Sequence, residues 1–262
     1  MNKAIEIANE EDKLKALESL MREAGDAILE VYHQDDFGTE TKGDNSPVTK
    51  ADLAAHNVLV EGIKTITPDI PVVSEEDTDS LKIPSTHSVY WLIDPLDGTK
   101  EFIIRNGEFT CNLALIENNK TTLGFVGVPA QDELYIGGCN TPSNLITREG
   151  QKRAISCKHS DSGITRVVAS KSHLNEETER FIKKIEGEVE LVQAGSSLKF
   201  LKIAVGKADI YPRLAPTCEW DTAAAQAVLE GAGGSVTQTS GEQMRYGKDE
   251  ILNPHFIAKG IA

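Results

Sequence analysis

The sequence predicts a layered fold of the α/β or α+β class. Helical apolar repeats fill its first part, short β-branched runs follow, and the second half alternates strand-like with helix-like segments. Elements of both kinds along a whole chain bury their apolar faces by stacking sheet against helix in layers.

Residues 11–31 carry Leu14, Leu17, Leu20, Ala24, Ile28 and Val31 at three- and four-residue steps, one face of a helix. Residues 35–47 are polar and broken by glycine and proline, which reads as a loop or hairpin. A second helix is expected over 51–66, with Val58, Ile63 and Ile66 among its apolar positions. Thr49 or Asp52 lies near its first turn, where a polar side chain can cap free N–H groups. Residues 71–74 and 89–93 are apolar runs rich in β-formers, and each ends directly in carboxylates. Strands are also predicted over 111–116, 122–128 and 133–136. The order then becomes strand 166–170, helix 176–185, strand 189–193, helix 197–205 and strand 208–211. A last helix over 222–231 stops at Gly231-Ala232-Gly233-Gly234. Neither a repeat nor a linker interrupts the pattern. Residues 1–262 are therefore read as a single unit of two lobes, with a soft boundary near residue 160.

Composition bounds the function. The formal net charge of -14 offers no basic face of the kind nucleic-acid polymers need. A small anionic substrate stays open, provided that cations are supplied locally. Of the four cysteines none sits in a Cys-x-x-Cys pair, and a reducing, cytoplasmic setting is expected. No apolar run approaches the ~20 residues of a membrane span, so no transmembrane segment is expected. Peripheral contact with the inner face of a membrane stays open, as does the oligomeric state.

The chemistry concentrates in Trp91-Leu92-Ile93-Asp94-Pro95-Leu96-Asp97-Gly98-Thr99-Lys100-Glu101-Phe102. An apolar strand delivers Asp94 at its end, Pro95 directs the chain into a turn, and Asp97 returns to the same edge. Gly98 permits a tight backbone path. Two acids, the Leu96 carbonyl and the Thr99 hydroxyl make an oxygen-rich pocket, the ligand type that Mg²⁺ selects. Glu75-Glu76-Asp77 follows one strand, and Asp221 opens the last helix. Taken singly, these are a turn, a solvated acidic loop and a helix cap, and Asp52 is a cap or surface acid. Taken together, they are like charges that raise each other's pKa unless divalent cations intervene.

These motifs resemble the inositol monophosphatase superfamily of metal-dependent, lithium-sensitive phosphatases. The marks are Thr49-Lys50-Ala51-Asp52, the Glu75-Glu76 pair, Asp94-Pro95-Leu96-Asp97-Gly98-Thr99, and Trp220-Asp221-Thr222-Ala223-Ala224 followed by Gly233-Gly234. Lys100-Glu101-Phe102 is similar to the bacterial 3'(2'),5'-bisphosphate nucleotidases within it. So are Asn45-Ser46-Pro47-Val48-Thr49, Ser170-Lys171-Ser172-His173, Gly195-Ser196-Ser197-Leu198-Lys199-Phe200 and Tyr211-Pro212-Arg213. Ala225 departs from the glycine of many relatives.

The resemblance implies an α-β-α-β-α sandwich and two or three Mg²⁺. Glu75, Asp94, Asp97, the Leu96 carbonyl and Asp221 would be the ligands. Asp52 and Thr99 would hold and activate the attacking water, with Glu76 contacting it or a weaker third metal. His173, Ser196, Lys199 and Arg213 correspond to nucleotide-contacting positions, and Gly98 and Thr99 would line the substrate. The implied reaction converts adenosine 3',5'-bisphosphate to AMP and phosphate, within sulfur assimilation. The 5'-phosphate lies away from the metals and needs its own cations, for which Lys199 and Arg213 are the candidates. Two rivals stand beside this reading. One is a sugar phosphatase of the same fold, acting on inositol monophosphate or fructose bisphosphate. The other is a non-catalytic phosphate-binding protein, whose signature would be a lost metal ligand.

Overall fold

In the computed structural model, residues 3–43, 46–158, 163–169 and 175–261 are described. The boundary expected near residue 160 falls outside them, as do His173 and Ser170.

The long amphipathic repeat folds as α2 (Glu11–Tyr32), preceded by a short α1 (Lys3–Asn9) that the sequence reading did not foresee. The polar segment holds β1 (Glu40–Thr41) and β2 (Pro47–Val48), a minimal antiparallel pair. Next come α3 (Lys50–Ile66) and β3 (Val72–Ser74). A 3₁₀ segment, Thr78–Ser85, leads to β4 (Val89–Asp97). After α4 (Thr99–Ile103) the chain runs through β5 (Thr110–Glu117), β6 (Lys120–Val128), β7 (Glu133–Gly138), β8 (Thr141–Thr147) and β9 (Lys152–Ala154). The second half holds β10 (Ile164–Ala169), α5 (Glu176–Ile182), β11 (Glu188–Gln193), α6 (Leu198–Ala204), β12 (Ile210–Arg213), α7 (Trp220–Gly231), β13 (Ser235–Gln238) and β14 (Phe256–Lys259).

A seven-stranded sheet has the order β3-β4-β5-β6-β7-β8-β9, and a five-stranded sheet the order β11-β10-β12-β14-β13. The first is antiparallel except for β3 beside β4; in the second, β10 runs parallel to both β11 and β12. Helices α1 to α3 cover one face of the large sheet. Helices α6 and α7 lie between the sheets, and α5 packs on the smaller one. The layers are those the resemblance implied.

The central strands are continuous apolar runs because both of their faces are buried. Trp91, Ile93, Cys111, Leu113 and Leu115 join the cluster under α1 to α3. Their alternates Tyr90, Leu92, Ala114 and Ile116 join the cluster under α6 and α7. Successive strand residues point to opposite faces, so each strand feeds two cores. Helix α7 achieves its close approach with Ala223, Ala224, Ala225 and Ala227, all buried. All four cysteines carry free thiols.

Several boundaries differ from expectation. Helix 176–185 stops at Ile182 in α5, and strand 208–211 is shifted to Ile210–Arg213. Strands β8, β9, β13 and β14 escaped the sequence reading because their residues mix polar and apolar without a clean two-residue period.

The contact between β6 and α7 yields a test. A Cβ on Gly124 would run into the backbone carbonyl of Ala224. Backbone cannot step aside as a flexible side chain can, so Gly124→Ala should cost about 1–3 kcal/mol, the usual penalty of overpacking. Urea unfolding of wild type and variant measures it.

Candidate active site

The site is built where β4 ends, and one extra residue decides its geometry. Asp94 pairs with Asn112 of β5 and Asp97 with Thr110. Three steps along β4 thus match two along β5, a bulge at Pro95-Leu96. Without it, the two-residue period would turn Asp94 and Asp97 to opposite faces. With it, both side chains face α6 and α7. The expected turn at Pro95 is therefore corrected to a bulged strand that continues to Asp97. Proline fits there because a bulge leaves a residue out of the ladder.

The opposite wall is the first turn of α7, which carries Asp221. Carboxylate oxygens of Asp94, Asp97 and Asp221 all lie within 4.8 Å of one another. Protein donors hold them by one edge. Leu96 N donates to Asp94 Oδ1 at 3.1 Å, and Cys218 N donates to Asp221 Oδ2 at 2.8 Å. Asp97 Oδ2 accepts from Ser196 Oγ at 2.6 Å, from Ser197 N at 2.7 Å and from Thr110 Oγ1 at 3.4 Å. Asp97 Oδ1 and Asp221 Oδ1 are left without a protein donor among the described residues.

Charge is under strain here. Burial, then the neighbouring carboxylates Glu75, Asp97 and Asp221, pushes Asp94 well above the usual carboxylate range. Burial and the nearby Asp97 push Asp221 up to about 7, against a partly compensating bond from the Cys218 amide. Glu75 is set beside β4 through its N–H, which donates to Ile93 O at 3.3 Å. Burial raises its pKa, opposed by Lys42.

Lys42, on the β1–β2 segment, is a residue the sequence reading missed. Its ammonium donates to Glu75 Oε1 at 2.7 Å and to Glu76 Oε1 at 2.6 Å. Burial lowers its pKa, but the two carboxylates overcome that and raise it on balance. A cation thus already sits between Glu75 and Glu76. The set as a whole, clustered carboxylates with oxygens turned inward, has the chemistry of a hard-cation site.

Asp52 and Thr99 meet at the edge of this cluster. Thr49 caps α3, and Asp52 Oδ2 accepts from Thr49 N at 2.7 Å and from Thr49 Oγ1 at 2.6 Å, a capping box. Its other oxygen faces Thr99 Oγ1 at 3.3 Å, which also lies 3.3 Å from the Leu96 carbonyl. Asp52 is 2 % exposed, and burial raises its pKa. It thus completes the cap of α3 with one oxygen and meets Thr99 with the other. Gly98, at φ +90, turns the chain from β4 into α4 and so sets Thr99 at the first helical position.

The substrate-side residues are less uniform. Ser196 has φ +48, an unfavourable conformation for serine, and its hydroxyl is engaged with Asp97 and, at 2.6 Å, with Thr110 Oγ1. Lys199 is buried on α6, donates to Ser196 O at 3.1 Å and lies 5.7 Å from the centre of the Tyr211 ring. Arg213 ends β12, and its Nη2 donates to Pro216 O at 2.6 Å. Its Nε is buried without a partner among the described residues. Its charge also reaches Asp221, where it opposes the upward shift. Thr110 and Asn112 were missed, although polar side chains alternating with Cys111 and Leu113 inside an apolar strand were a legible signal.

Comparison with known proteins places the chain. The model of the inositol monophosphatase family matches residues 9–262. The 3'(2'),5'-bisphosphate nucleotidase CysQ of Escherichia coli O6:H1 is 44% identical over 245 residues, 90% of this chain and 95% of that protein. The crystal structure of CysQ from Bacteroides thetaiotaomicron superposes with a TM-score of 0.85 at 37% identity, covering 97% of this chain and 98% of that one. The Thermotoga maritima IMPase shares the fold, with a TM-score of 0.73 at 23% identity over 95% of this chain and 92% of that one. Proteins of this family are metal-dependent phosphatases, and the carboxylate cluster at the end of β4 is a group that could hold a metal. With a family model that spans nearly its whole length, the chain belongs to the inositol monophosphatase family.

Proposed function

We propose that this chain is a Mg²⁺-dependent 3'(2'),5'-bisphosphate nucleotidase that hydrolyses adenosine 3',5'-bisphosphate to AMP and phosphate. The observation that carries the chemistry is the convergence of Asp94, Asp97 and Asp221 within 4.8 Å, with Thr99 and Asp52 alongside. The substrate assignment is supported by the 44% identity to a nucleotidase and by the cations Lys199 and Arg213, the latter close enough to Asp221 to act on its charge. A cytoplasmic setting accords with four free thiols.

Asp94, Asp97, Asp221, Glu75 and the Leu96 carbonyl would hold two or three Mg²⁺, with Glu76 and Lys42 at the outer edge. Bound there, Mg²⁺ supplies charge neutralisation and polarises water and phosphoryl oxygens. The remaining steps belong to the chain. Thr99 Oγ1 donates to Asp52 and can accept from the attacking water, so the water proton passes by way of threonine toward the aspartate. Burial raises the pKa of Asp52, making it a better proton acceptor than a solvated aspartate. The water oxygen bonds to phosphorus as the bond to the ribose 3'-oxygen breaks, and that oxygen takes up a proton from solvent as AMP leaves, while Asp52 returns its own to solvent. The buried Arg213 Nε and the Lys199 ammonium are donors for the nucleotide and its 5'-phosphate. Positioning and charge account for most of what phosphoryl transfer asks of a protein.

The sugar-phosphatase alternative shares every metal residue and differs only in what lies beyond them. A panel of adenosine 3',5'-bisphosphate, its sulfated precursor and inositol phosphates, each with Mg²⁺ and with chelator, decides between them. Phosphate release from the adenosine bisphosphate, with its sulfated precursor a second substrate, and not from the inositol phosphates is expected; preference for inositol phosphate would overturn the nucleotidase reading.

Three outcomes are expected. Asp97→Asn should abolish Mg²⁺-dependent turnover with the circular dichroism spectrum unchanged. Thr99→Ala should lower kcat by ~10²-fold or more, with KM nearly kept; a change confined to KM would make Thr99 a binding residue. Arg213→Ala should raise KM for adenosine 3',5'-bisphosphate about ten- to a hundred-fold, the worth of a charge-assisted hydrogen bond. KM for a simple sugar monophosphate should stay within a few-fold.

A fourth concerns pH. The folded-state pKa of Asp221 lies near 7, above its unfolded value, so the metal-free fold binds more protons than the unfolded chain between those limits. The contribution of Asp221 to stability is therefore fully present below its unfolded pKa and is lost as pH rises through about 7. Thermal melts in chelator should show that decline, and Mg²⁺ should raise Tm more at pH 8 than at pH 5.

A further inference from the structure

Asn112 lies in the middle of β5, 1% exposed, and its side chain shows an asymmetry that its strand does not require. Its Nδ2 donates to Ser197 Oγ at 3.1 Å, while Oδ1 is buried with no partner among the described residues. The orientation of the amide is fixed by its neighbour. Ser197 Oγ spends its single proton on the Asp221 carbonyl at 3.0 Å, so it can only accept from Asn112. Turning the amide over would set two acceptors against each other.

The orphaned oxygen lies close to the site. Asn112 pairs directly with Asp94 across the β4–β5 ladder, and directly opposed residues project from the same face. That face is the one turned to α6, Ser197 and Asp221. A buried amide oxygen left without a donor is costly, and native proteins rarely keep one. Asp94, its partner across the ladder, and Asp97 and Asp221, which cluster with Asp94, are acceptors when ionised. With the cluster ionised, the donor it lacks comes from something the carboxylates attract. A hydrated divalent cation fits, because Mg²⁺ retains several of its waters when protein ligands are few.

We propose that Asn112 is a positioning residue for the cation site. Its Nδ2 steadies Ser197, and through it Asp97 and the first turn of α7; its Oδ1 accepts a hydrogen bond from a hydration water of the cation held by the aspartates. The proposal rests on the metal assignment made above but adds a residue and a second mode of holding the ion, through its water.

The test reads cation binding directly, with Mn²⁺ as probe, by electron paramagnetic resonance titration and water-proton relaxation of the bound ion. Wild type should bind. Asn112→Leu removes both halves of the amide, whereas Ser197→Ala removes only the partner of Nδ2 and keeps Oδ1. Loss of an outer partner typically costs 10–100-fold in metal affinity. Asn112→Leu should therefore bind Mn²⁺ at least ~10-fold more weakly than wild type, with altered relaxation per bound ion, and Ser197→Ala should fall clearly less. Melting in chelator establishes that each variant folds; Asn112→Ser, which adds no bulk, replaces the leucine if it does not, with the same weakening expected. Equal losses in Asn112→Leu and Ser197→Ala would overturn the role of Oδ1, as would wild-type affinity in Asn112→Leu. Absence of Mn²⁺ binding by wild type would overturn the metal assignment itself, a distinguishable failure.

Discussion

Like charges brought together without water between them repel, and that repulsion governs this site. Asp94, Asp97, Asp221 and Glu75 approach one another from three separate elements: β4, the segment after β3 and the first turn of α7. Nothing in apolar packing would gather them. Each is instead gripped by its backbone surroundings or by neighbouring hydroxyls, so the fold holds in place a cluster that its own electrostatics oppose. Burial first, and then the neighbouring carboxylates, push Asp94 and Asp221 upward. Lys42 relieves the part of it at Glu75 and Glu76, and the remainder is what a divalent cation would remove.

The restraint on Asp97 shows how the layers cooperate. Its outer oxygen is held by Thr110 from the large sheet and by Ser196 and Ser197 from the start of α6. Ser197 also reaches the carbonyl of Asp221 on α7. A single serine thus ties together the strand, the middle helical layer and two of the three clustered aspartates. The left-handed backbone of Ser196 is the local strain that this junction sustains.

Much of this was legible beforehand because the acids stand directly after apolar runs. Asp94, Asp97, Asp221, Glu75, Asp52 and Thr99 could all be named from motif order, and the structure brings them into one neighbourhood. The long helices α2, α3 and α7 were clear from their period. The hidden parts were those whose signal is not periodic. Lys42 lies in a polar segment where a lysine means nothing until the chain folds back on Glu75. Strands β13 and β14 depend on pairing with each other and with β12, and their sequences alone do not announce it. The continuation of β4 past Pro95 was misread because proline usually ends a run; the tolerance of a bulge for it is a property of the pair β4–β5, which one strand cannot reveal.

That bulge constrains how the segment can change over evolutionary time. Side-chain identities near Pro95-Leu96 can drift, since the geometry rests on the number of residues between Asp94 and Asp97. The number itself cannot drift by one. A single-codon deletion there would restore the regular ladder, with Asp97 two residues from Asp94, still on its face and still opposite Thr110, but without the extra residue whose bulge lets the Leu96 carbonyl meet Thr99 Oγ1 at 3.3 Å. The reading frame would be intact, most of the core unchanged and both acids on the same side of the sheet, yet the carbonyl that meets Thr99 would be displaced. Substitution and deletion, which are often equally mild in a surface loop, have opposite consequences at this point of the chain.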